Sequence, residues 1–195
     1  QEALDRIETE FDDPFAADPV STQLIHDGTN VLDREELLTM LRLLERLDER
    51  EQLRVESATG PATIVAQTID PTARTPAAQR RAVESATDTE VRQAVRRLRE
   101  NDRFAAVVSD DFNPNDASAS TTVTVVTHDV PRGFDDLQGL QTDVQTIAED
   151  EPADVRVFGT GIINAETGQI IGDSLLIVMP IVVVLLLGFL VVAYR

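Results

Sequence analysis

STTVTVVTHDVPRGFDDLQGLQTDVQTIAEDEPADVRVFG, residues 120–159, reads as one complete strand–helix–strand unit. STTVTVVTHD is β-branched almost throughout, which suits a pleated, half-buried surface. PRGFDDLQGLQTDVQTIAED then sets Leu137, Leu140, Val144 and Ile147 at helical spacing, an inward stripe for a helix lying on a sheet. VRVFG closes the unit as a second strand.

The same order occurs once before. STQLIHD (21–27) reads as a strand, VLDREELLTMLRLLERLDER (31–50) as a strong helix, and LRVES (53–57) as another strand. Asp33 suits the helix N-cap, and Glu36 follows at capping-box spacing. Leu37, Leu41, Leu44 and Leu47 form the apolar stripe, while Arg42, Arg46 and Arg50 beside Glu45 and Glu49 read as a solvated, ion-paired face.

The two units match. LIHD at 24–27 and VTHD at 126–129 each end a strand, LRV at 53–55 answers VRV at 155–157, and both pairs are 102 residues apart. The helix stripes (37, 44, 47 against 137, 144, 147) are 100 apart, so a small insertion or deletion must separate strand from helix. A β-α-β, insert, β-α-β order predicts an α+β domain of ferredoxin-like type. That fold has an antiparallel sheet with helices on one face and right-handed crossovers.

The insert, about residues 60–104, reads as helical and is set off by Pro61, Pro71 and Pro76. TDTEVRQAVRRLRE is its clearest piece, capped by Thr87 or Asp88, with Val91, Val95 and Leu98 inward. Arg92, Arg96, Arg99 and Arg103 make a basic patch, read here as local neutralisation of an acidic protein. FAAVVS (104–109) is expected as a strand. The Asp-rich DDFNPNDAS (110–118) lacks the glycine and final glutamate of an EF-hand loop and is expected as a turn. Upstream, QEALDRIETEF (1–11) has Leu4, Ile7 and Phe11 at helical spacing, and DDPFAADP (12–19) is a proline-punctuated linker.

Composition excludes several function classes. The net charge is -18, from 35 acidic and 17 basic residues, and every basic residue is arginine. Nucleic acid is not an expected partner, because counterion release needs clustered cations. An acid-heavy, lysine-free surface has the character of proteins from salt-accumulating halophilic archaea, where molar salt shortens the Debye length to about 3 Å. The soluble part should therefore lose structure in low salt, and an equal melting temperature in dilute and molar KCl would refute this. Without cysteine there is no disulfide, thiol nucleophile or zinc–thiolate site. The two His-Asp pairs invite a catalytic or metal reading, but their equivalent places in a repeat point instead to turns capped by aspartate. No nucleophile elbow, phosphate loop or dinucleotide fingerprint is present. The sequence thus yields no catalytic residue, metal site or cofactor and does not read as an enzyme.

LLIVMPIVVVLLLGFLVVAY (175–194) carries no charge and is followed by Arg195. Twenty helical residues span about 30 Å, the hydrocarbon thickness of a bilayer. Arg195 places the C-terminus in the cytoplasm and residues 1–174 outside, by the positive-inside rule. Tyr194 fits the interfacial aromatic belt. With no ionisable group before Tyr194, the span cannot relay protons.

The junction VFGTGIINAETGQIIGDSLLIVMPIVVVLLLGFL resembles the segment entering the second membrane helix of resistance-nodulation-division (RND) exporters, above all their MMPL-type branch. SDDFNPNDAS with its following strand, and VLDREELLTMLRLLERL, are similar to the porter domain of that branch. The resemblance implies a piece of an ion-driven exporter of lipids or other amphiphiles. Residues 1–19 would be an N-terminal helix and linker, 20–158 an extracellular porter-like domain, 159–174 a juxtamembrane junction and 175–194 a transmembrane helix. The junction residues implied for coupling are Gly159, Gly161, Asn164, Glu166, Gly168 and Gly172. The implied partners are the bilayer, further membrane helices of the same transporter and an amphiphilic substrate bound in an apolar cleft between the β-α-β units. A single-pass ectodomain serving as sensor, receptor or assembly module is the alternative. An anchored hydrolase ranks last.

Overall fold

The computed structural model describes residues 20–130 and 136–159. In chain order these residues form β1 (Val20–Asp27), α1 (Arg34–Asp48), β2 (Val55–Thr59), α2 (Pro61–Ile69), α3 (Pro76–Ser85), α4 (Asp88–Arg97), a short α5 (Asp102–Ala105), β3 (Thr121–His128), α6 (Leu137–Glu149) and β4 (Asp154–Phe158). The strands make one four-stranded sheet in the order β2-β3-β1-β4. β1 runs antiparallel to β3 and β4, and β2 antiparallel to β3. The chain is an α+β domain.

Alternation dictates which side of the sheet is covered. Thr22, Leu24 and His26 of β1, and Thr122, Thr124, Val126 and His128 of β3, are buried under the helices. The caps follow the side chains available. Asp33 accepts the Glu36 N–H (3.0 Å), and Thr87 accepts the Glu90 N–H (3.3 Å) while Glu90 returns to the Thr87 N–H (2.8 Å). The box expected at Asp33 is only half made, because Glu36 turns away and accepts Nε2–H of His26 (3.0 Å). That bond fastens the first turn of α1 to β1. Pro61 and Pro76 open α2 and α3 at the position where a helix needs no N–H.

The repeat survives in three dimensions with a changed register. His26 faces Thr122 and His128 faces Val20, so residues 102 apart are equivalent and a local two-fold passes through the Gln23–Val125 pair. In the helices, buried Met40, Leu41, Leu44 and Leu47 answer buried Leu140, Gln141, Val144 and Ile147, an offset of 100. Leu137 is only half-buried. The expected match of LRV with VRV is corrected by the sheet. Val55 lies opposite His128 and Val155 opposite His26, an offset of 100, while Ala58 and Val157 oppose Val126 and Leu24, an offset of 99. The slip of one is the irregularity between Val55 and Ser57. The length change thus falls between first strand and helix, and the second strand keeps the helix's frame.

Other expectations are revised. FAAVVS is not a strand: Asn101 caps a helical turn containing Phe104, and only Val108 bridges to Thr122. The ion pairs of the face expected at Arg42, Arg46 and Arg50 run to other elements rather than along the helix. Arg46 forks to Glu151 (2.5 Å) and Asp150 (3.3 Å) past the end of α6, and Glu45 takes Arg80 of α3 (2.6 Å). The basic patch is broken because α4 ends at Arg97, leaving Arg99 and Arg103 beyond it, and Arg96 donates to the Asn115 carbonyl. The Asp-rich loop is a turn closed by paired Asn113 and Ser118 backbones. In it Asp111 sits below its ordinary pKa because it accepts the Ser109 hydroxyl and the Ser120 groups. α1 is buried more widely than its stripe, with Leu38, Met40 and Leu43 also covered, because α3 of the insert packs on its second side. The insert shares the main core through Val65, Val83, Val95 and Phe104.

Among the described residues no helix is long and apolar enough to cross a membrane. The run 175–194, the helical reading of 1–11 and most of the junction lie outside them.

Candidate coupling junction

Because β1 and β4 are antiparallel neighbours, the chain enters and leaves the domain at one end of the sheet. Gln23, three residues after the start of β1, lies opposite Phe158, the last residue of β4. The next residue, Gly159, is the one proposed junction glycine within the described residues. A Cβ at Gly159 would overlap the Gln141 carboxamide. Gln141 projects from α6, is 0% exposed, and donates Nε2–H to the Ser21 carbonyl of β1 (3.2 Å). One side chain therefore bridges the strand by which the chain enters, the helix of the second half and the residue by which the chain leaves.

Gly161, Asn164, Glu166, Gly168 and Gly172 lie outside the described residues, so their arrangement around Gly159 is not part of this geometry. Sequence reading overlooked Gln141 and Ser21. The available signal was a polar residue directly after Leu140 and three before Val144, on the buried side of the stripe.

The histidines are structural in their contacts. His128, 1% exposed, donates Nδ1–H to the Leu53 carbonyl (2.7 Å) and accepts the Thr22 hydroxyl at Nε2 (2.9 Å). Burial lowers its pKa from the ordinary value, opposed by the Leu53 bond. Both histidines are core-facing strand residues rather than turn residues, and their aspartates do not cap turns. Asp27 accepts the Thr121 hydroxyl (2.7 Å) and pairs with Arg156, which together lower its pKa. Asp129 pairs with Arg54 (3.1 Å), a non-glycine residue held at φ 46 while its carbonyl takes the Asp129 N–H.

The expected apolar cleft between the β-α-β units is not found among the described residues. β1 pairs directly with β3, α1 touches α6, and Leu24, Leu41, Val126 and Val144 belong to one continuous core. Clefts among the described residues include one among α2, α3 and α4 beside Glu90 and Arg97, one at the starts of α1 and α4 beside Asp33 and Arg92, and one along β2 beside Glu56 and Gln79. Each mixes charged or polar groups with small side chains.

Set against protein-family models, curated proteins and solved structures, the chain matches none significantly.

Proposed function

We propose that this chain forms the extracellular substrate-pathway domain and the outgoing membrane helix of an ion-driven transporter of lipids or other amphiphiles, similar to the MMPL-type branch of RND exporters. The domain is read as ferredoxin-like, supported by the strand order, the antiparallel pairing and the helices over one face. The observation that carries the function is the junction: entry and exit share one end of the sheet, and a charge-free run of membrane-spanning length follows the exit. In this reading the domain moves as a rigid body, and Gly159, packed against Gln141, passes that motion into the helix. Energy enters through charged groups in other membrane helices, since residues 175–194 carry none before Tyr194. The arginine-only, acidic surface supports a high-salt setting.

The test is the reading frame on either side of the chain, together with a reporter fused after Arg195. Further apolar runs of about 20 residues and a cytoplasmic reporter are expected. No further spans on either side would instead favour an anchored sensor or assembly module, and a reporter on the outside would reverse the topology.

A further inference from the structure

The sheet has a second face. On β1, β3 and β4 it carries Ile25, Val123, Val125 and Phe158, none of which belongs to the core under the helices. Ile25 pairs directly with Val123, and Gln23 lies between Val125 and Phe158 in the next row. Ile25, Val123 and Val125 are half-buried, and Phe158, 41% exposed, is the one large hydrophobic residue that stands exposed among the described residues. Ser21, Thr121, Thr127 and Asp27 rim this centre, and Arg156, opposite Ile25, turns to Asp27 at the rim. A solvated sheet face is ordinarily polar, so an apolar centre with a polar rim marks a covered surface.

We infer that residues 1–11 of the same chain cover this face as an amphipathic helix. Leu4, Ile7 and Phe11 fall on one helical stripe, while Glu2, Asp5, Arg6 and Thr9 fall on the other side. Eleven helical residues run about 16 Å, which fits across strands spaced about 4.8 Å apart. The tether allows it. Residues 12–19 join the stripe to Val20, the start of a central strand beneath the patch, and eight extended residues reach about 26 Å. Residues after Gly159 are poorer occupants, because they leave from an edge strand and lead on to the apolar run at 175. This inference is independent of the transport reading: it concerns how the domain is completed, whatever the domain does.

The chain has no cysteine, so introduced pairs report without background. In the full chain, Ile7→Cys with Val125→Cys is compared with Ile7→Cys plus Arg42→Cys, the latter exposed on the helical side. Docking predicts that oxidation closes the first pair inside one molecule about tenfold or more faster than the second. Adding Leu4→Asp and Phe11→Asp should return it to the control rate. Equal rates for the two pairs would mean an undocked segment. Cross-links only between molecules would mean that a second copy covers the face. Either result overturns the inference, and circular dichroism of each variant confirms that the domain itself is folded.

Discussion

Residues 20–59 and 121–159 are two versions of one unit, and they agree where they touch each other. Asp27 of the first half pairs with Arg156 of the second, and Asp129 of the second pairs with Arg54 of the first. The exchange is two-fold only in outline, because by the sheet register the counterpart of Arg54 is Asp154 and not Arg156. The pairs differ in geometry. Arg54 stands beside Asp129 through a backbone bond, whereas Arg156 lies opposite Ile25 and reaches diagonally to Asp27. Both second strands end in a glycine with no room for a Cβ: Gly60 against Thr124, and Gly159 against Gln141. The halves part company where each meets something outside the repeat. Leu41 is an apolar core residue, while its counterpart Gln141 is polar and faces the exit. Gly60 leads into α2 of the insert, and Gly159 leads toward the apolar run.

The largest contrast should come at positions 41 and 141. Leu41→Ala leaves a cavity in the shared core and should destabilise the domain by about 2–5 kcal/mol. Gln141→Leu keeps the volume and gives up the contacts of the carboxamide, the bond to Ser21 among them, so about 1–2 kcal/mol is expected in urea titrations. Equal losses would show that Gln141 is simply another core position.

The glycines come next. Gly60→Ala must displace Thr124, a β-branched residue in a strand paired on both sides, and should cost about 1–3 kcal/mol. Gly159→Ala meets the far end of a flexible side chain. It should cost about 1 kcal/mol, from displacing the carboxamide and its bond to Ser21, and nothing further once Gln141 is already alanine and the clashing atoms are gone. A full additional loss in that double variant would refute the contact.

His128 gives the domain a pH dependence. Its folded pKa is lowered by burial, so below the ordinary 6.5 the unfolded chain takes up a proton that the folded chain does not. Stability should fall as the pH drops through that value, and His128→Gln should remove this part of the slope in melts between pH 7.5 and 5.5. An unchanged slope would place the titration elsewhere.

The ion pairs should give the smallest effect, under about 1 kcal/mol each. Asp27→Asn should cost more than Asp129→Asn, because Asp27 also holds the Thr121 hydroxyl and is less exposed (25% against 79%). The Asp27 contribution is present above the ordinary carboxylate pKa of 3.8 and is lost as the pH falls through its lowered value. Acid titrations in which both variants match would make the two pairs equivalent.

Much of the fold was legible because its signals are local. The strand at 121–128, the Asp33 and Thr87 caps and the helical insert all follow from residues a few positions apart. The repeat was legible too, but its second-strand register was not. LRV and VRV match as letters, whereas the sheet aligns whatever keeps Val55 and Val155 on the covered face. FAAVVS failed because Asn101 offers a cap and Phe104 a core anchor, and these outweigh the β-propensity of two valines. Gly159 could be named from the sequence, but its packing against Gln141 could not. A lone glutamine gains meaning only when α6 lays it against β1.

Period, caps and composition therefore settled the two repeated units and their order, the helical character of the insert, the acidic arginine-only composition and the apolar run at 175–194. These depend on neighbours along the chain. Packing alone determined that α1 is buried on two sides, that the halves trade aspartate for arginine, and that Gln141 joins entry to exit. Each of those rests on groups roughly a hundred residues apart, or on an insert docking sideways, and no local pattern encodes such distances.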